Sequence, residues 1–168
     1  ESRGLGDVYK RQSIHFQGGI SLAKKMQYQT VWTQGKKGSD DAFFVRANVF
    51  VVEQGFKVEF DDLDKVCWHL TVYDRNEPIG AARIYQDTDG VWQLGRICVL
   101  ENYRGKKIGN LILSACEEKI RQLAQGPALA RLGAQAQAKG FYLKNGYTAT
   151  GEEYMDEYCP HVVMTKQL

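Results

Sequence analysis

Hydrophobic and polar positions change period several times along the chain, and each change marks an element. Residues 28–33 alternate apolar with polar side chains, the two-residue period of a half-buried strand. After a loop at 35–38, Ser39 with Asp40 and Asp41 reads as a helix start, because early carboxylates suit the positive end of a helix dipole. That helix is expected to run to about Val52, before Gly55. Residues 68–74 and 79–86 read as strands flanking the turn Arg75-Asn76-Glu77-Pro78, and Asp87-Thr88-Asp89-Gly90 turns the second into a third strand over 91–99. From Arg104-Gly105 to Leu123 the period becomes helical, with Ile108, Leu111, Ile112, Ala115 and Ile120 on one side and Glu117, Glu118 and Arg121 on the other. Gly126-Pro127 stops that helix. Residues 129–136 form a further strand, 138–145 a short helix ended by Gly146, and the remainder a hairpin finishing in the apolar strand 161–165.

The order strand, helix, three strands, helix, strand, helix, strand, strand is an α/β arrangement whose long helix crosses between neighbouring strands. Ligands of such sheets gather at the carboxyl ends of strands, which directs attention to residues 99–109.

Composition narrows the function classes. The chain has 168 residues, with 43% hydrophobic and 25% charged positions, the profile of one globular domain. No apolar run approaches the roughly 18 to 20 residues of a membrane helix. The net charge of +2 conceals an asymmetry: residues 1–37 carry seven Lys/Arg against two Asp/Glu, and residues 38–168 carry fifteen against eighteen. A folded part that is slightly acidic argues against nucleic acid as a partner. Cys67, Cys98, Cys116 and Cys159 never form a Cys-x-x-Cys pair, and His15, His69 and His161 lack metal-ligand spacing, so neither a metal site nor a disulfide framework is spelled out. The cysteines read as buried thiols of a cytoplasmic protein. Residues 1–12 resemble a translated sequencing adapter, so residues 1–25 are set apart as a non-native or disordered leader, with Met26 as the start and 26–168 as one domain.

The junction Tyr103-Arg104-Gly105-Lys106-Lys107-Ile108-Gly109 follows a strand and opens a helix. Such a turn offers unpaired backbone N–H groups and flanking lysines, the means by which a chain holds phosphate without a metal. It lacks the spacing of a P-loop.

Here the sequence resembles the GCN5-related N-acetyltransferase (GNAT) superfamily, whose [RQ]-x-x-G-x-[GA] signature corresponds to Arg104-Gly105-Lys106-Lys107-Ile108-Gly109, with Lys107 in place of the central glycine. Two further blocks resemble the ElaA/YjcF-like branch: residues 46–55 with the acidic loop after them, and residues 133–147 containing Phe141-Tyr142, followed by Cys159-Pro160-His161. The resemblance covers 26–168. It implies a mixed, mostly antiparallel sheet of about six to seven strands flanked by helices and splayed between strands 4 and 5. It also implies acetyl-CoA as co-substrate, no metal, and transfer of acetyl to a primary amine of a small molecule or peptide.

Under that resemblance the backbone of Ile97, Cys98 and Val99 pairs with the pantetheine arm, and a backbone N–H near Val99 polarises the thioester carbonyl. Arg104, Gly105, Lys106, Lys107, Ile108, Gly109 and Asn110 hold the diphosphate, and Gln135 touches the arm. Tyr142 is the general acid that protonates the departing thiolate. Glu53, His69 and His161 are candidates for the base that takes the ammonium proton. Asp61, Asp62 and Asp64 are read as an acidic lip attracting a cationic amine, and Arg96 as a grip on a substrate carboxylate or an ion pair within the sheet. Two alternatives stand beside this reading: an acyl-homoserine-lactone-synthase-like enzyme on the same fold, and a non-catalytic acyl-CoA-binding module. Exposed edge strands leave room for a homodimer.

Overall fold

The structure, a computed structural model, describes residues 27–168; the leader expected over 1–25, and Met26, lie outside the described residues. Strand β1 (Tyr28–Gln34) leads into helix α1 (Asp40–Arg46), which continues without a break as a π-helical segment, Ala47–Glu53. A 3-10 turn (Asp62–Lys65) precedes β2 (Trp68–Asp74), β3 (Glu77–Gln86) and β4 (Trp92–Val99). A second 3-10 turn (Glu101–Tyr103) leads to α2 (Ile108–Ala124), β5 (Leu129–Gln135), a third such turn (Ala136–Ala138), α3 (Lys139–Lys144), β6 (Thr148–Asp156) and β7 (Cys159–Gln167).

The seven strands form one sheet in the order β1-β2-β3-β4-β5-β7-β6. All neighbours are antiparallel except β4 and β5, which run parallel and pair only over Trp92–Leu94 with Ala130–Leu132. Beyond those three pairs β4 continues to Val99 and β5 to Gln135 without touching. The expected splay is present, and its apex lies at Gly95 and Gly133.

Helices cover both faces. Ile108, Ile112, Leu113, Cys116 and Ile120 of α2 are fully buried against Leu70, Ile84 and Leu132 of the sheet. Each such aliphatic side chain contributes about 1.5–3 kcal/mol by leaving water. The other face carries Ala42 and Val45 of α1 with Val49, Phe50 and Ala81. The expected single helix to Val52 is therefore two pitches in succession. The wider π turn holds Val49 and Phe50 in the core while Val52 is left 77% exposed. The helix starts after Ser39 as expected; the Ser39 hydroxyl makes no cap bond and instead donates to Gly35 O at 2.7 Å and lies 2.6 Å from that of Thr33. The four cysteines are buried and free. No helix among the described residues is long and apolar enough to cross a membrane.

Candidate active site

Where β4 and β5 part, a cleft of about 770 Å³ opens through the molecule. One end is walled by backbone. Arg96 sits in β4 with φ +52, a bulge that breaks the pairing with β3 between Ala81 and Arg83. Ile97, Cys98 and Val99 follow it along the open edge and line the cleft. Gly105, Lys107, Ile108, Gly109 and Asn110 line the same end, at the amino terminus of α2, whose first-turn N–H groups have no partner within the helix. Lys107, at the signature's central glycine position, adopts φ +62, ψ +22, a left-handed conformation that glycine takes more readily than lysine.

Two signature residues are engaged within the chain. Arg104 also lines this end of the cleft; its Nε donates to Val99 O at 3.0 Å, and its two terminal nitrogens meet the Glu53 carboxylate at 2.7 and 2.6 Å. Lys106 lies over the Tyr103 ring, 5.2 Å from its centroid, and is absent from the cleft wall.

Tyr142 is 8% exposed, and its ring packs edge-on between those of Phe141 and Tyr147. It lines the cleft beside Ile108 and Phe141, and no described group hydrogen-bonds its hydroxyl. Burial pushes the phenol above its ordinary range, so it is protonated at neutral pH. Two contacts fix α3. A Cβ at Gly109 would stand 3.1 Å from Phe141, so the glycine lets the start of α2 close on this helix. At the other end Lys166 donates to Asn145 O at 2.9 Å while holding Glu117 at 2.6 Å.

The second end of the cleft is made of side chains from distant elements. His161 lines it, with Nδ1 3.0 Å from Cys159 O. A carbonyl only accepts, so Nδ1 carries a proton, and no described group bonds Nε2. Tyr154 stacks on that imidazole at 5.1 Å and 20°. Its hydroxyl lies over the splay apex, where a Cβ at Gly133 would meet it at 1.9 Å. Gln135 Nε2 bonds Gln54 Oε1 at 2.8 Å and Gln135 Oε1 accepts from Gln137 at 2.7 Å, so Gln135 bridges the cleft to the end of the π segment. Tyr158 donates to Gln54 O, and Glu157 accepts the N–H groups of Lys57 and Val58, strapping the β6–β7 hairpin to the 54–58 loop.

Three expectations are corrected. His69 is fully buried, Nε2 donating to Asp64 O at 2.9 Å, and burial pushes its pKa down; it lies outside the cleft wall. Glu53 lies outside the cleft wall, with both carboxylate oxygens taken by Arg104, which lowers its pKa. The acidic lip is an interior ion network. Arg46, fully buried, takes Glu59 at 2.8 Å and Asp64 at 2.8 Å; Arg83 takes Asp61 at 2.7 Å and Asp64 at 2.9 Å. Arg96 pairs with Glu59 at 3.2 Å and with Asp61 at 3.5 Å, the ion-pair reading rather than a free grip on substrate. Only Asp62 of the three aspartates is free of this network, paired with Lys65 in solvent.

Sequence reasoning missed Asp156, a half-buried carboxylate of β6 that lines the cleft and that no described group pairs with. The only signal was its place two residues after Tyr154, on the same strand face.

A parted parallel strand pair with a bulge and a helix amino terminus beside it is a family's architecture, and a match to the Acetyltransferase (GNAT) domain model over residues 36–168 decides which family. The chain belongs to the GNAT acetyltransferases. It is 42% identical over 130 residues to the uncharacterised N-acetyltransferase YjcF of Bacillus subtilis, covering 75% of this chain and 90% of that one. It is similar to the crystal structure of Escherichia coli ElaA, with a TM-score of 0.73 at 26% identity over 83% of this chain and 99% of that one. A complex of Arabidopsis thaliana Naa50 with the bisubstrate analogue CoA-Ac-MVNAL shares the fold, at TM-score 0.59 and 18% identity over 83% and 99% of the two chains. The ElaA/YjcF-like branch is thereby the one to which this GNAT acetyltransferase belongs.

Proposed function

We propose that the protein is an acetyl-CoA-dependent N-acetyltransferase in which a primary amine attacks the thioester directly. The observation that carries this reading is the continuous cleft that runs from the α2 amino terminus, past the open edge of β4 and the unpaired hydroxyl of Tyr142, to the free Nε2 of His161. A CoA-type ligand in a shared fold supports the cofactor. The unpaired N–H groups of Ile108, Gly109 and Asn110, with Lys107 beside them, suit a diphosphate. The edge of Ile97 to Val99 suits pantetheine amides, and a backbone N–H there suits the carbonyl oxygen as it gains charge. His161 Nε2 takes the ammonium proton, which makes the amine a nucleophile. Tyr142 supplies a proton to the sulfur as the tetrahedral adduct collapses to amide and thiol. Most of the acceleration comes from holding thioester and amine together.

The test is release of free CoA with mass spectrometry of the product, over a panel of amines. Tyr142→Phe is expected to slow transfer by about 10²- to 10⁴-fold with cofactor affinity nearly intact. Calorimetric binding of acetyl-CoA with no turnover of any amine would leave a binding module instead, and an unchanged Tyr142→Phe rate removes that residue from the chemistry.

A further inference from the structure

The acceptor end of the cleft carries an uneven set of charges. Its arginines are taken: Arg83 by Asp61 and Asp64, Arg96 by Glu59 and Asp61. Its buried carboxylate Glu59 is taken in turn by Arg46 and Arg96. Asp156 alone among the described charged side chains of that wall has no counter-ion. The hairpin bearing it, residues 148–158, holds Glu152, Glu153, Asp156 and Glu157 and no Lys or Arg; Glu152 pairs with Arg131 and Glu157 accepts the N–H groups of Lys57 and Val58, which leaves Asp156 as the unpaired hairpin carboxylate on this wall. A ligand is offered one free anion and no free cation.

Position adds a length. Tyr154 stands opposite His161 in the β6–β7 pairing, and Asp156 stands opposite Cys159, two residues nearer the hairpin tip. Two residues of strand separate these rungs by about 6–7 Å, the span of a chain of about four or five methylenes. Tyr154 and Asp156 face the cleft together, with the aromatic pair Phe56 and Tyr158 close by.

We propose that the acceptor is a straight-chain diamine: one nitrogen is acetylated beside His161 while the second, as an ammonium, is held by Asp156. This rests on the acetyl-transfer reading above and adds the substrate class to it. The reacting nitrogen gives up its proton to His161; the distal nitrogen keeps its charge, because Asp156 stabilises the ammonium and offers no route to remove it. A carboxylate at the distal position meets Asp156 and no available arginine, so amino acids of the same length are excluded.

The experiment compares putrescine and cadaverine with n-butylamine, n-pentylamine and δ-aminovalerate, with acetyl-CoA at saturation. The diamines are expected to exceed the monoamines by about tenfold or more in kcat/KM through a lower KM, the size of one charge-assisted contact, with δ-aminovalerate poorest. In Asp156→Asn the diamine-to-monoamine ratio collapses towards one. In Asp156→Glu the preference persists with its optimum moved to a shorter diamine, which a merely structural role for Asp156 would not produce. Equal kcat/KM for putrescine and n-butylamine, or a preference that survives Asp156→Asn, overturns the diamine assignment and leaves acetyl transfer standing. Turnover of no amine by a protein that binds acetyl-CoA overturns both.

Discussion

The two ends of the cleft are built by opposite means. At the cofactor end the contacts are backbone: the parted edge of β4, a bulge at Arg96, and the first turn of α2 after Lys107. At the acceptor end they are side chains brought from the π segment and the loop that follows it, β3, β4 and the β6–β7 hairpin. Backbone groups are the same whatever the residue, so the cofactor end tolerates even a lysine in a glycine position. The acceptor end depends on which charges find partners, and a single substitution there redistributes them.

The largest effect expected from disturbing that balance is at Arg46. Each of its three nitrogens donates to a carboxylate or to the Glu59 carbonyl, and its guanidinium lies 5.2 and 5.0 Å from the centroids of Phe43 and Phe60. Arg46→Met keeps the volume and leaves Asp64 and Glu59 buried with one arginine each. Removing one partner of such a network costs about 3–5 kcal/mol, because a desolvated carboxylate is left short of charge. Urea unfolding is expected to show a loss of that size, whereas Asp156→Asn at the hairpin is expected within about 0.5 kcal/mol of the parent. Equal effects of the two would erase the distinction between the buried and the unpaired acid.

A smaller effect follows from pH. Burial raises Asp64, but Arg46 and Arg83 outweigh it and hold its carboxyl well below the ordinary carboxylate range; Arg83 lowers Asp61 as well. A depressed folded value means that the stabilisation is fully present above the unfolded value, about pH 4, and is lost as pH falls through the folded one. Glu59, raised by burial against the pull of Arg96 and Arg46, runs the other way and loses stabilisation as pH rises through its own higher value. Thermal melting is therefore expected to fall between pH 5 and pH 3, and Asp64→Asn to flatten that fall. A parent whose melting temperature is level across that window would contradict the network's charge state.

These contrasts explain what the residues disclosed in advance. The run Tyr103 to Gly109 pointed to the α2 end of the cleft because all of its parts are local, a strand end, a turn and a helix start within seven positions. The Phe141-Tyr142 pair was equally local. The acid run at 59–64 misled because its partners Arg46, Arg83 and Arg96 are far away in sequence, and nothing in the run itself says that it folds inward. His69 and His161 look alike in the chain. The fold buries one beneath Asp64 O and leaves the other one nitrogen facing the cleft, a difference set by long-range pairing. Asp156 was unreadable for the same reason, since being unpaired is a property of the surroundings.

The smallest expected effect is at Lys107, and it separates the two means of construction within one residue. Its backbone holds the left-handed conformation that a Cβ disfavours by about 1–2 kcal/mol, partly offset in a glycine by about 0.5–1 kcal/mol of extra chain entropy. Its side chain adds a positive charge to the cofactor wall. Lys107→Gly is thus expected to raise stability by about 0.5–1 kcal/mol, a melting shift of about 1–4 °C, while weakening acetyl-CoA binding by the loss of that charge. Lys107→Ala keeps the backbone strain and removes only the charge, so it is expected to weaken the cofactor to the same degree without the gain in melting temperature. If alanine and glycine move stability together, the turn is not strained at this position; if neither weakens the cofactor, the diphosphate is held by N–H groups alone.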